Sequence, residues 1–92
     1  MKNEVVLIGT IVSSLEKFKK DGVSYISFDI ETESKYEMNH TITKCLLAGP
    51  LIDKVESNNI QEGSFVEVLA HLITDDNTIQ IIVDSIDNLE TK

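Results

Sequence analysis

Residues 23–33 alternate without a break, with Ile26, Phe28 and Ile30 on one parity and Tyr25, Ser27, Asp29, Glu31 and Glu33 on the other. Side chains of a strand point to opposite faces in turn, so this period of two describes a strand with one face in a core and one in water. In a helix the same apolar residues would not share one side. The chain must therefore supply further strands to pair with this one. The Asp21-Gly22 pair just before it is a residue combination favoured by two-residue hairpin turns, and places the first of those connections.

Upstream, Val5-Val6-Leu7-Ile8-Gly9-Thr10-Ile11-Val12 is nearly continuous and β-branched, as expected of a strand over residues 4–12 covered on both faces, with Gly9 marking a bulge or tight bend. Leu15-Glu16-Lys17-Phe18-Lys19-Lys20 then forms the approach to the Asp21-Gly22 turn. The polar stretch 34–40 reads as a hairpin loop into a third strand over 41–48. Pro50 followed by Leu51, Ile52 and Val55 at helical spacing predicts one short helix of about two turns, with the proline where its missing N–H matters least. Residues 64–74 and 78–86 make the last two strands, joined by a tight turn at Asp75-Asp76-Asn77, and the sequence turns polar from Asp87. One domain over 1–89 with a short tail at 90–92 is expected. The expected class is all-β: five strands with one short helix between the third and fourth. That is the element order of a five-stranded Greek-key barrel of the oligonucleotide-binding (OB) type, although any small five-stranded barrel or open sheet with one helix would show it too.

Charge narrows the functions. Eight basic residues, all lysine, face 16 carboxylates, for a formal net charge of −8. A chain so acidic is repelled on average by phosphate polyanions, so nucleic-acid binding would depend on a local patch. The longest apolar runs fall far short of the roughly 20 residues of a membrane-spanning helix, and the Lys2-Asn3-Glu4 start lacks a signal-peptide pattern. A cytoplasmic location without membrane association is expected. The single cysteine, Cys45, rules out an intramolecular disulfide and agrees with a reducing compartment.

Several segments carry a family resemblance. Asn3-Glu4-Val5-Val6-Leu7-Ile8-Gly9-Thr10-Ile11 resembles the opening of bacterial single-stranded-DNA-binding proteins. The spacing on to Asp21-Gly22 and then to Ser27-Phe28-Asp29-Ile30-Glu31-Thr32 is similar to theirs. Leu46-Leu47-Ala48-Gly49-Pro50-Leu51-Ile52-Asp53 resembles their entry into the helix, Ile60-Gln61-Glu62-Gly63-Ser64-Phe65-Val66-Glu67-Val68 their start of the fourth strand, and Ile82-Val83-Asp84-Ser85-Ile86 the end of the fifth. The resemblance runs from Asn3 to about Leu89. It implies an OB barrel over which single-stranded DNA is laid, with aromatic rings stacking on bases and lysines on phosphates. Carried over, it gives Tyr36 the place of a stacking tryptophan and Lys44 that of a basic strand residue. The pattern breaks at Ile42 and Ala48, which stand where the family has aromatics, and at Asp75-Asp76-Asn77, too short for the family's long basic loop. The chain stops soon after the last strand, as in the tail-less primosomal replication protein N group, so recruitment through an acidic tail is not expected.

Candidate binding residues each have a plainer reading. Lys17, Phe18, Lys19 and Lys20 form a phosphate-contacting patch with one aromatic, or a solvated turn whose charge is moderated by Glu16 and Asp21. Lys35 and Tyr36 make a base-stacking platform, or an exposed tyrosine with its hydroxyl in water. Lys44 contacts phosphate or snorkels from an apolar surface. Asp29, Glu31 and Glu33 would repel a phosphate backbone or attract a basic protein partner. His40, His71 and Cys45 are of metal-ligating types, but their spacing fits no compact motif, and Cys45 reads as a buried thiol. No nucleophile–base pair, carboxylate dyad or phosphate-cradling loop has a supporting context, so no enzyme activity, cofactor or metal is expected. Apolar residues on both parities of the last two strands, such as Val66 and Val68 against Phe65 and Leu69, imply a covered face and a homodimer or tetramer. The leading expectation is a binder of single-stranded DNA, or of RNA, in replication, repair or recombination, with a possible partner among the proteins of those processes. The alternative is an OB-fold adaptor that binds another protein.

Overall fold

The computed structural model describes residues 3–33 and 40–90. Six strands, β1 (Val5–Ile11), β2 (Glu16–Lys20), β3 (Val23–Glu33), β4 (His40–Ala48), β5 (Phe65–Asp75) and β6 (Thr78–Asn88), surround one helix, α1 (Pro50–Ser57). They form one sheet in the order β1-β5-β6-β4-β3-β2, closed by a further pairing of β1 with β3. All pairings are antiparallel except β4 with β6, the crossover that makes the path a Greek key.

The strand count corrects the sequence expectation, and the helix accordingly lies between β4 and β5 instead of between a third and fourth strand. The approach to the first turn is itself a strand, because Asp21-Gly22 forms a two-residue hairpin that pairs Glu16–Lys20 with β3. Both turn residues have positive φ, 52° and 79°, the combination a type I′ turn requires. Between β1 and β2 the chain bends where the Ser13 hydroxyl accepts the Asp29 N–H at 2.8 Å, replacing a ladder bond by a side-chain one. β1 and β2 are thus two halves of the barrel's first strand. At the other end β6 continues through Asp87 and Asn88, paired with Glu67 and Val66, where the sequence suggests a polar tail.

The alternation in β3 falls as expected, with Ile26, Phe28 and Ile30 buried. They meet Cys45 and Leu47 of β4, Val66, Val68 and Ala70 of β5, and Val83 and Ile86 of β6 in a single core. Each fully buried large side chain contributes on the order of 1.5–3 kcal/mol. The helix closes one end of the barrel with Val55 buried and Leu51 and Ile52 packed beside it. Exposed ion pairs flank it, from Lys54 to Asp87 at 3.0 Å and from Lys17 to Glu56 at 2.7 Å. Gly9 sits where β1 passes against β3, and a Cβ at that position would land on the Glu31 carbonyl oxygen. Only glycine lets the two strands approach closely enough to close the sheet there. No helix among the described residues is long and apolar enough to cross a membrane.

Candidate nucleic-acid interface

OB barrels bind oligonucleotides across their second and third strands and the adjoining hairpin loops. Here those strands are β3 and β4, and the loops are the turns at Asp21-Gly22 and Asp76-Asn77. The ladder sets the outer face in rows. Phe18 lies opposite Tyr25, and Tyr25 opposite Ala48; Glu16 lies opposite Ser27, and Ser27 opposite Leu46; Asp29 faces Lys44 and Glu31 faces Ile42.

The rings of Phe18 and Tyr25 stack, with centroids 5.4 Å apart and planes inclined by 18°. Such a pair adds roughly 0.5–1.5 kcal/mol beyond its buried area. Phe18 nevertheless remains 40% exposed. A flat aromatic surface therefore stands at the base of the lysine-bearing hairpin. Phe18 stands out in the sequence among its lysines, whereas Tyr25 does not. The signal was present, because a two-residue turn at 21–22 fixes which residues of the flanking strands face each other.

Strand alternation divides the lysine cluster. Lys20 shares the parity of Phe18, whereas Lys17 and Lys19 lie on the other side of β2, the side on which Lys17 reaches Glu56 of the helix. A shallow depression of about 370 Å³ runs along this hairpin, lined by Lys17, Phe18, Lys19, Ser24, Tyr25 and Ile52. Lys44 is exposed on the same outer face as the aromatic pair, beside Asp29 and, at roughly 3.3 Å per residue, about 13 Å further along the sheet. Lys35 and Tyr36 lie outside the described residues.

The acidic residues of β3 stand on this outer face, as the alternation predicts, and Glu31 lies 4.0 Å from His40 Nδ1. His71 Nδ1 lies 2.9 Å from both carboxylate oxygens of Asp84. His40, His71 and Cys45 are not brought together, and among the described residues no group of three ligating side chains is placed to hold a metal. Cys45 is fully buried, and its thiol pKa is pushed up to about 12, first by loss of water and then by the Asp29 carboxylate. That makes it an inert core residue rather than a nucleophile.

The closed sheet, its strand order and the single helix define an OB-fold barrel. No family model and no curated protein sequence matches the chain. Solved structures do, over nearly its whole length. The dimeric N-terminal domain of PriB from Thermoanaerobacter tencongensis superposes with a TM-score of 0.78 at 16% identity, covering 97% of this chain and 98% of that one. The second single-stranded-DNA-binding protein (SSBb) of Mycobacterium smegmatis gives 0.79 at 16% identity, covering 97% and 90%. The mitochondrial single-stranded-DNA-binding protein Rim1 of S. cerevisiae gives 0.83 at 14% identity, covering 100% and 99%. The barrel is thus of the kind found in PriB and the single-stranded-DNA-binding proteins.

Proposed function

We propose that this barrel binds single-stranded DNA, and RNA by the same physics, with little sequence preference, in replication, repair or recombination, and that it performs no reaction of its own. The observation that carries the reading is the Phe18–Tyr25 stack, with its Phe18 ring exposed, on the face that OB barrels use, at the foot of a hairpin bearing Lys17, Lys19 and Lys20. Every base has a π face, so stacking on this pair is tolerant of sequence. Lys19, Lys20 and Lys44 supply phosphate contacts, and Lys17 joins them by leaving an exposed ion pair worth no more than about 1 kcal/mol. Lys35 adds a further phosphate contact, and Tyr36, by the resemblance, a second stacking residue. The strand passes beside the carboxylates of Asp29, Glu31 and Glu33 and does not cross them. The names of the Mycobacterium and yeast neighbours support the same ligand.

Anisotropy of a labelled oligo-dT at low and moderate salt tests this reading. Five phosphate contacts, one for each of these lysines, give a log–log salt slope of roughly −3.5, at about −0.7 per contact to a single strand. Absence of binding at micromolar protein and low salt would leave the adaptor as the function.

The chain is further proposed to act as a homodimer. Val6 and Ile8 of β1 are 55% and 48% exposed, beside Leu69 and the 42% exposed Phe65 of β5 on the same outer face. β1 also ends the strand order and pairs with β3 only at Thr10 and Ile11, so its first residues present an open edge among the described strands. A second copy covers both features at once.

A further inference from the structure

A second open edge lies on the other side of the barrel. β4 and β6 are paired only at Cys45–Ile81 and Leu46–Ile82, although β4 begins at His40 and β6 at Thr78. Towards their N-termini the two strands stay paired with β3 and β5, and among the described residues they are not paired with each other. The result is a cleft of about 150 Å³ walled by Lys44 and Leu46 on one side and by Thr78, Ile79, Gln80 and Ile81 on the other. Ile79, in its wall, is 66% exposed, and Ile42, two residues before Lys44 on β4, is 61% exposed, the highest values among the large apolar residues described.

The backbone at this cleft is oriented for pairing. The β5–β6 hairpin has a two-residue turn, so Asp75 and Thr78 beside it exchange both of their hydrogen bonds. Antiparallel ladders alternate, so the next residue, Ile79, turns its N–H and C=O away from β5 and into the cleft. An extended segment inserted here adds to the sheet through main-chain bonds and sets its own apolar side chains beside Ile42 and Ile79.

Charge selects the occupant. Glu31 and Glu33 stand in the row next to β4, and Asp75 and Asp76 sit at the hairpin tip, whereas Lys44 already faces Asp29. The carboxylates outnumber the one lysine at this border. A second copy of a chain with net charge −8 would bring like charge to it. We infer that the β4–β6 cleft is a docking site for an extended apolar segment of a partner protein flanked by lysine or arginine, taken up by strand addition.

The test uses labelled synthetic peptides with a Val-Ile-Val-Val centre, one flanked by lysines and one by glutamates, titrated into the whole chain. The lysine-flanked peptide is expected to bind saturably and the glutamate-flanked one not to. Ile79→Pro removes the outward N–H without touching the β5–β6 ladder, and is expected to weaken the peptide about tenfold, the order expected for a lost main-chain bond. Ile79→Lys leaves the backbone intact and is expected to weaken it similarly through repulsion, which keeps the test decisive should the proline variant misfold. Neither variant is expected to lose affinity for oligo-dT. Equal binding of the two peptides, or unchanged peptide affinity in Ile79→Lys, overturns the inference. Loss of oligo-dT affinity in Ile79→Lys would make the cleft part of a nucleic-acid path, and a fall in molecular mass in that variant would make it a subunit contact; either overturns it too.

Discussion

At Phe18 and Tyr25 a local turn rule becomes a candidate binding surface. Neither residue lies in an informative motif, and the two are seven positions apart in sequence, yet the hairpin places them ring on ring. Phe18→Ala and Tyr25→Ala are each expected to weaken oligo-dT binding by between about fivefold and a hundredfold, from the roughly 1–3 kcal/mol of a base–aromatic stack, with anisotropy as the readout. Circular dichroism is expected to remain unchanged for Phe18→Ala, since that ring is outside the core. Gly9→Ala is a stability test: its Cβ meets the fixed main-chain carbonyl of Glu31, and a loss of about 3 kcal/mol in urea unfolding is expected. Cys45 supplies a pH test. Its thiol titrates near 9.0 in the unfolded chain and near 12 when folded, so the neutral core thiol stabilises fully below pH 9 and that stabilisation is lost as pH rises towards 12. The decline in stability across this range should be shallower in Cys45→Ala, measured by denaturation at several alkaline pH values.

At the scale of elements, the period-two pattern of β3, the break at Asp21-Gly22 and the proline-started helix appear where the sequence places them, and the turn expected at Asp75-Asp76-Asn77 tightens to Asp76-Asn77 as Asp75 pairs with Thr78. These features are local, each set by backbone preferences over a few residues. Gly22 adopts φ 79°, which β-branched side chains strongly resist. Gly22→Val should destabilise the hairpin by about 1–2 kcal/mol, in keeping with the strain of a left-handed conformation, and should weaken oligo-dT binding along with it by loosening the Phe18–Tyr25 register. The separate strand β2 was the element not expected. Its five residues are all exposed, so no apolar periodicity announced it; pairing with β3 and the bend at Ser13 create it.

At the scale of the molecule, the proposed binding of single-stranded DNA requires an acidic chain to present a surface to a polyanion. The fold separates the charges in part: Lys20 stands near the aromatic pair, Lys44 stands opposite Asp29, and Glu31 and Glu33 continue towards the far end of β3. Affinity for oligo-dT should therefore be modest and strongly salt-dependent. A dimer through the β1–β5 face should be seen by sedimentation, and Ile8→Lys should shift it to monomer, since the substitution puts a charge into an apolar contact while leaving the core untouched. Alternation, the Asp-Gly and Asp-Asn turns and a leading proline act over short range, so the strand class, the turns, the helix and the core parity of β3 are legible in the sequence alone. Its resemblance to single-stranded-DNA-binding proteins pointed to the same barrel. That β1 bends and closes against β3, that Tyr25 joins Phe18, that Lys17 turns to the helix and that β4 and β6 part to leave an edge are settled in the folded chain alone. Each of those depends on contacts between residues distant in the chain, whose geometry is set by sheet closure around a shared core and by no local preference.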